Sequence, residues 1–525
     1  MEIRKRIVLA SVPMMIFGGF LAVRLSDIIT DKTVISASSG VGTYTVGADR
    51  GRRTVYDRNM KPMLNIGKKY FAVINPLNVD PLILKHIIDH EKFRSGMTGN
   101  TPFLCEIDCG SFCDTPVIGI WNRYPSPCPA QHILGYTSEG GGVSGIEAVY
   151  DDFLSKSCQE KIVYKVNALG QVLLGEDAVV TEPDEDTAGI VLSLDSDIQS
   201  VCENAMGSVE KGAAVVMDVR SGEILASVSR PVYDIDDLGK YLDDENAPFV
   251  NRAFSAYGVG SVFKTVIAAS ALESGISEEY TCRCTGSIMI KDQRFGCHLW
   301  GGHGDLDMRG AMIESCNPYF ISLGRNIPDE FLYDMMISAG FGSSCDLGGI
   351  KNSAGYIPDI SELSVPAEKA NLCFGQGKLT ASPLQICRFV CAIANSGALP
   401  EPQLVLGTVS DKNEYPLVSA SYRIIFSAKT AEKLRSFMHD ALMKPNSLGI
   451  PSRTDGGGKT STAQTGRFDE EGNEYMNCWF AGFFPYDEPR YAVVVMAEEG
   501  QSGNITCAPV FKDIADNITK LENIQ

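Results

Sequence analysis

The chain has 525 residues, 44% hydrophobic and 21% charged, with 46 Lys+Arg against 65 Asp+Glu for a net charge of −19. The apolar share excludes a disordered chain, and the acidic balance without clustered cations argues against a nucleic-acid binder, whose phosphate contacts need them. A single long apolar run excludes a polytopic membrane protein, and at roughly 100–200 residues per domain the length suits several domains.

The N-terminus opens on Arg4, Lys5 and Arg6, followed by a largely apolar stretch over 7–23, which Arg24 interrupts and Leu25, Ile28 and Ile29 extend. Basic residues ahead of such a run predict a short inside tip and an outside bulk, so residues 1–30 read as a cytoplasmic tip and transmembrane signal-anchor. A cleaved signal peptide is the competing reading, although its cleavage stretch, Ser36-Ala37-Ser38, lies far from the run. Residues 36–42 form a small-residue linker. Up to about Lys161, short β-like runs mix with helical stretches such as 81–93, and a glycine-rich loop at 140–145 leads into a helical pattern over 146–154. Residues 162–189 read as strands with an acidic turn at 182–186, which marks a domain boundary.

Beyond it, 196–207 is a predicted helix capped by Asp195 or Ser196. Residues 213–218, Ser221-Gly222 and 223–228 spell strand–turn–strand. Helical windows follow at 261–273, 308–324, 382–395 and 428–443, then strands at 460–465, 478–484 and 491–497 and a helix at 510–521. Strands at both ends with helices between predict an α+β domain whose sheet joins distant segments.

Three short motifs carry chemistry. Ser261 and Lys264, in Ser261-Val262-Phe263-Lys264, share one face about a turn apart on a helix start. A serine hydroxyl needs a base, and a lysine amine serves only if burial or a neighbouring cation keeps it neutral. Taken alone, this pair also fits a cap beside a solvated lysine. Ser315-Cys316-Asn317 offers a hydroxyl and an amide, or an ordinary turn. Lys459-Thr460-Ser461-Thr462 puts a cation and two same-face hydroxyls, Thr460 and Thr462, on a strand suited to gripping a carboxylate, or forms an exposed hairpin.

The ordered triple resembles the S-x-x-K, S-x-N and K-T-G set of the penicillin-binding proteins and β-lactamases. Asn251-Arg252-Ala253, Phe374-Gly375-Gln376-Gly377, Ser382-Pro383-Leu384-Gln385, Ala394-Asn395-Ser396-Gly397 and Trp479-Phe480-Ala481-Gly482 are similar to further motifs of that family. Arg50-Gly51 with Asp57-Arg58-Asn59, and Gly145-Ile146-Glu147 with Tyr150-Asp151, resemble the pedestal of its class B members, the monofunctional peptidoglycan D,D-transpeptidases. The resemblance covers roughly residues 45–500 and implies a central antiparallel sheet flanked by helices at 190–525, an elongated N-terminal pedestal at 36–185 and one membrane anchor.

It also implies a mechanism without cofactor or metal. Ser261 attacks a D-Ala-D-Ala stem peptide with Lys264 as base. Ser315 relays a proton, Asn317 binds the stem backbone, and Lys459, Thr460, Ser461 and Thr462 line the carboxylate site. β-Lactams would enter the same route. Implied partners are peptidoglycan stems, a SEDS-type glycosyltransferase, and cell-wall synthesis or division proteins at the cell membrane, with the catalytic domain extracytoplasmic. Alternatives are a class D-like β-lactamase or penicillin sensor, a D,D-carboxypeptidase, and a non-catalytic scaffold, for which Ser461 in place of the family's glycine is the hint.

Among the 16 cysteines, Cys105, Cys109, Cys113 and Cys128 fit disulfides, free thiols or, less well by spacing, a metal. Cys282, Cys284 and Cys297 lie near His298 and His303, where a Cys284–Cys297 disulfide resembles a family habit. Cys373, Cys387 and Cys391 read as core residues, and His132 and His303 as structural.

Overall fold

The computed structural model describes residues 17–24, 42–49, 51–113, 115–156, 159–167, 172–173, 178–181, 188–409 and 420–523. Residues 17–24 are helical. Residues 7–16 of the expected anchor, the linker at 36–41 and the acidic turn at 182–186 lie outside the described residues. Among the described residues, no helix is long and apolar enough to cross a membrane.

The chain divides into two compact units: Met1–Arg52 with Asn65–Arg123 and Ser157–Asp186, and Arg53–Leu64 with Tyr124–Lys156 and Thr187–Gln525. The first holds two antiparallel three-stranded sheets. In one, Gln159–Val166 lies between Gly42–Asp49 and Val179–Thr181; in the other, Gly67–Ile74 lies between Phe103–Ile107 and Val117–Asn122. Every second residue of a strand faces one side, which gathers Val46, Ala48, Ile162, Tyr164 and Val166 with Val73 and Ile118 in one apolar cluster. The helix expected over 81–93 is two elements, a 3₁₀ turn Pro81–Lys85 and a helix His90–Gly96. Asp80 and Asp89 each cap a separate start.

Segments 53–64 and 124–156, which the resemblance puts in the pedestal, belong to the second unit. Gln131 in the later segment donates its side-chain amide to the Tyr233 carbonyl at 2.6 Å, and the earlier segment is tied in by strand pairing and a side-chain contact. Thr54–Tyr56 runs parallel to Gly189–Leu192, and Asp57 accepts from the Ser196 N–H at 3.1 Å.

The second unit is built on a five-stranded antiparallel sheet. Its strands are β1 (Gly212–Asp218), β2 (Ile224–Arg230), β3 (Gly457–Phe468), β4 (Glu474–Phe484) and β5 (Tyr491–Ala497), in the order β2-β1-β5-β4-β3. Two segments 273 to 285 residues apart in sequence therefore meet at the β1–β5 ladder, where Gly212 faces Ala497 and Asp218 faces Tyr491. A sheet covered on both faces needs apolar residues on both, and β5 is buried along its whole length. One face packs with α1 (Ser196–Ala205) and the C-terminal helix Ala508–Glu522 through Cys202, Val216, Val495, Phe480 and Phe511. The other packs on α2 (Lys264–Glu273), α3 (Met308–Glu314), α4 (Asn317–Arg325), α5 (Pro383–Ala394) and α6 (Ala428–Leu442). Helix α5 is buried at every residue and is started by a capping box between Ser382 and Gln385. Strand β3 lies at the sheet edge, open to one side.

Candidate active site

The sequence motifs converge at the open edge of β3. Ser261 sits in a 3₁₀ turn, Gly260–Phe263, that runs into α2 at Lys264. Side chains three apart eclipse in a 3₁₀ turn, so Lys264 lies over Ser261, with Nζ 3.0 Å from its Oγ. Lys264 is wholly buried. The turn is fixed by glycines: Gly260, at φ +64°, donates its N–H to the Gly375 carbonyl at 2.8 Å. A Cβ on Gly375 would lie 1.9 Å from the Gly260 oxygen.

The expected helix 308–324 is broken by the second motif. Ser315 ends α3 in the left-handed region at φ 52°, and Cys316 restarts the chain as the cap of α4. An αL residue without glycine stores strain, which its hydrogen bonds must offset. They are present: Lys264 Nζ donates to the Ser315 carbonyl at 2.7 Å and approaches its hydroxyl at 3.2 Å. Asn317, expected to bind substrate backbone, instead has both ends of its amide engaged. Its Oδ1 accepts from Lys264 at 2.6 Å, and its Nδ2 donates to the Gly296 carbonyl at 3.2 Å. In this arrangement Asn317 positions the lysine.

Strand β3 supplies the third motif. Lys459 is buried, and its Nζ donates to the Ser315 hydroxyl at 3.0 Å and to the Thr460 carbonyl at 3.0 Å. Alternation puts Thr460 and Thr462 on the opposite face from Ser461. Thr460 lines a cavity of about 330 Å³ together with Ser315, Lys459 and His298. The exposed Thr462 accepts from the Gly503 N–H at 3.2 Å through its hydroxyl. Ser461, placed at the carboxylate site by the resemblance, is buried and donates to the Val259 carbonyl at 2.7 Å. It braces the segment that leads to Ser261.

Electrostatics follow from burial. Removal from water, then the nearby Lys459 charge, holds the Lys264 amine well below the ordinary lysine range. Burial, with Lys444 nearby, lowers Lys459 to about 7. The site thus contains a neutral amine beside a serine hydroxyl, and a second amine poised between charged and neutral.

Sequence reasoning missed the support of this turn. Trp479 on β4 donates its indole N–H to the Gly258 carbonyl at 2.9 Å, and Arg252 is buried against Glu498 at 2.6 Å. Both residues lie in motifs read from the sequence, but only the fold reveals what they hold. His132 is structural as expected: it meets the Pro248 carbonyl at 2.7 Å, and burial lowers its pKa to about 4. Cys373, Cys387 and Cys391 are buried. Every described cysteine is a free thiol, so the Cys284–Cys297 bridge implied by resemblance is not formed.

Residues 212–516 match the penicillin-binding protein transpeptidase domain. The chain is 27% identical over 418 residues to stage V sporulation protein D of Bacillus subtilis, covering 75% of this chain and 62% of that protein. It is 28% identical over 415 residues to peptidoglycan D,D-transpeptidase MrdA of Haemophilus influenzae, covering 71% of this chain and 62% of the relative. Both alignments span less than two thirds of the curated relative's length. The fold is similar to that of penicillin-binding protein 3 from Mycobacterium tuberculosis, solved with aztreonam. The TM-score is 0.66 at 23% identity, over 91% of this chain and 98% of that one.

Proposed function

The chain belongs to the penicillin-binding protein transpeptidase family, as a class B member, and on that premise we propose that it is a peptidoglycan D,D-transpeptidase acylated at Ser261. One observation carries the proposal: the buried Lys264 Nζ stands 3.0 Å from the Ser261 hydroxyl with its charge disfavoured. In the first step the neutral Lys264 amine takes the Ser261 proton while Oγ bonds to the penultimate carbonyl carbon of a D-Ala-D-Ala stem. The N–H groups of Ser261 and Thr462 receive the oxyanion, each such donor being worth ~3 kcal/mol in this kind of chemistry.

Collapse breaks the peptide bond and leaves an ester on Ser261. The departing D-Ala nitrogen gains its proton through Ser315, which bridges Lys264 and Lys459 at 3.2 and 3.0 Å. The stem carboxylate lies against Lys459, Thr460 and Thr462. A bound carboxylate favours charged Lys459, a charge-assisted contact formed as substrate arrives. An amine of a neighbouring stem then attacks the ester and loses its proton to Lys264; the acyl C–Oγ bond breaks, and Lys264 returns a proton to the freed Ser261 oxygen. β-Lactams follow the first step and stall as the acyl-enzyme; aztreonam on the related Mycobacterium protein supports that reading.

Residues 1–30 tether the protein in the cell membrane, the first compact unit serves as a pedestal, and the second unit, which includes 53–64 and 124–156, carries the catalytic site on the extracytoplasmic side. The basic residues ahead of the apolar run support this orientation. Glycan polymerisation then comes from a SEDS-type glycosyltransferase partner, alongside other cell-wall synthesis or division proteins.

The test supplies the full-length protein with a stem pentapeptide and an amine acceptor. D-Ala release matched by cross-linked dimer supports transpeptidation. Release without dimer supports a D,D-carboxypeptidase instead.

A further inference from the structure

Directly behind the second motif, three thiols and one imidazole converge. The ligand atoms of Cys284, Cys297, His303 and Cys316 all lie within 4.8 Å of one another. Cys284 closes the strand Cys282–Cys284, which pairs antiparallel with Gly304–Leu306, so Cys284 faces Gly304, next to His303. Cys297 follows the strand Gln293–Gly296, and Cys316 caps α4 between Ser315 and Asn317. Distant positions thus meet at one point through strand pairing and a helix cap.

We propose that Cys284, Cys297, His303 and Cys316 bind a zinc ion that anchors the second motif of the active site. The chemistry of the donors favours zinc: soft thiolates and one imidazole make the Cys₃His set of closed structural sites. With Zn–S of ~2.3 Å and Zn–N of ~2.0 Å, a tetrahedral site places sulfur and nitrogen about 3.5 Å apart. Cys297 Sγ and His303 Nδ1 stand 3.4 Å apart. A disulfide would use two of the three sulfurs and leave the third beside an imidazole.

The surroundings also fit. Cys284 and Cys316 are buried, and the His303 side chain is only 5% exposed. The other ring nitrogen of His303 faces the Glu314 carboxylate at 3.8 Å, the side from which ligating histidines are held in orientation. Glu314 in turn pairs with Lys444 at 2.6 Å. The loop that brings the ligands together is built to close. Gly286 and Gly302 both have positive φ, and a Cβ on Gly302 would lie 2.2 Å from the Cys284 carbonyl oxygen.

Four protein ligands leave no open coordination position, so the ion holds structure and does not touch substrate. Its grip on Cys316 fixes the turn between Ser315 and Asn317. The same loop is tied to Asn317 through the Gly296 carbonyl at 3.2 Å. Two links, one metallic and one hydrogen-bonded, thus hold the residues around Lys264.

The test is metal content of the full-length protein, purified in detergent without chelators and equilibrated with Zn²⁺ under reducing conditions. About one zinc per chain is expected, as for a closed four-ligand site. Cys297→Ser and His303→Ala should lose it, whereas His303→Cys, which restores a fourth ligand, and Cys282→Ser, outside the cluster, should keep it. Co²⁺ loading should give thiolate-to-cobalt absorption in the wild type and none in Cys297→Ser. Amide exchange in the peptide spanning Ser315–Asn317 should accelerate when wild type is stripped of metal. Wild type holding no more zinc than Cys297→Ser, or a Cys284–Cys297 disulfide found by peptide mapping, would overturn the site. Unchanged exchange on stripping would overturn the anchoring.

Discussion

The Ser461 hydroxyl donates to the Val259 carbonyl at 2.7 Å, two residues ahead of the candidate nucleophile. The side chain that departs from the family's K-T-G pattern therefore points behind the strand, away from Thr460 and Thr462. It fills space left by Gly260, on which a Cβ would lie 2.4 Å from Ser461 Oγ. The departure is absorbed by packing and gives no ground for a non-catalytic scaffold. Ser461→Gly should lower stability by about 1 kcal/mol through the lost buried hydrogen bond. Penicillin acylation should change by no more than about threefold, since no transition-state contact is removed. Stopped-flow acylation with fluorescent penicillin reads this; a loss beyond tenfold would put Ser461 on the ligand.

Asn317 accepts from Lys264 at 2.6 Å, the shortest of that amine's four contacts. Asn317→Ala should slow acylation by about 10²-fold, the low end for a misplaced general base, with binding less affected. Asn317→Asp tests the electrostatics separately. A carboxylate at that distance favours the ammonium form, so its acylation should need higher pH than wild type requires. Parallel pH profiles of wild type and Asn317→Asp would contradict this role.

The two lysines impose opposite limits on pH. Acylation needs Lys264 neutral, so it is lost as pH falls through that residue's lowered pKa. It also needs Lys459 charged in the free enzyme, so the second-order rate should decline as pH rises past about 7. Lys459→Arg, which stays charged, should remove the alkaline decline while changing the amplitude. Stability moves the other way. A lysine with a depressed folded pKa binds fewer protons folded than unfolded between that value and the ordinary 10.5, so stability rises with pH across the window. The gain is up to ~1.4 kcal/mol per pH unit from Lys459. Denaturant melts between pH 7 and 9 should show a steeper rise in the wild type than in Lys459→Met, which keeps only the contribution of buried Lys264.

Gly375 is required by contact as well as by conformation. It sits at φ +77°, where an added Cβ would lie 1.9 Å from the Gly260 carbonyl oxygen. Gly375→Ala should displace the Ser261 turn and cost upward of ~3 kcal/mol, among the larger effects of a single substitution. A normal thermal midpoint and normal acylation in that variant would show that the turn tolerates the shift.

Much of the catalytic unit was legible because its signals are local. The strand–turn–strand at 213–228, the strand at 491–497 and the helices near 383–394 and 428–442 follow from periodicity and caps that a short window contains. The three motifs were equally visible as residue types. Their use was harder to read. The break between α3 and α4 depends on Ser315 adopting an αL conformation that only Lys264 and its neighbours stabilise, so the window 308–324 looked like one helix. Asn317 and Ser461 were assigned to substrate by the family resemblance; their contacts with Lys264, Gly296 and Val259 are made only by the fold. The helix Asp329–Ser338 went unread because it carries a weak amphipathic pattern and starts on Pro328 without a side-chain cap. The sequence grouped Cys284 and Cys297 with His303, but strand pairing and the α4 cap, not spacing, are what add Cys316 to them.

The most direct measurement is the mass of the peptide carrying Ser261 after exposure of the full-length protein to a β-lactam. Wild type should show one intact β-lactam added at Ser261 and retained for many minutes, Ser261→Ala none, and Lys264→Ala the same adduct formed far more slowly. An adduct on another residue, labelling that persists in Ser261→Ala, or acylation of Lys264→Ala at the wild-type rate would contradict the assignment of nucleophile and base.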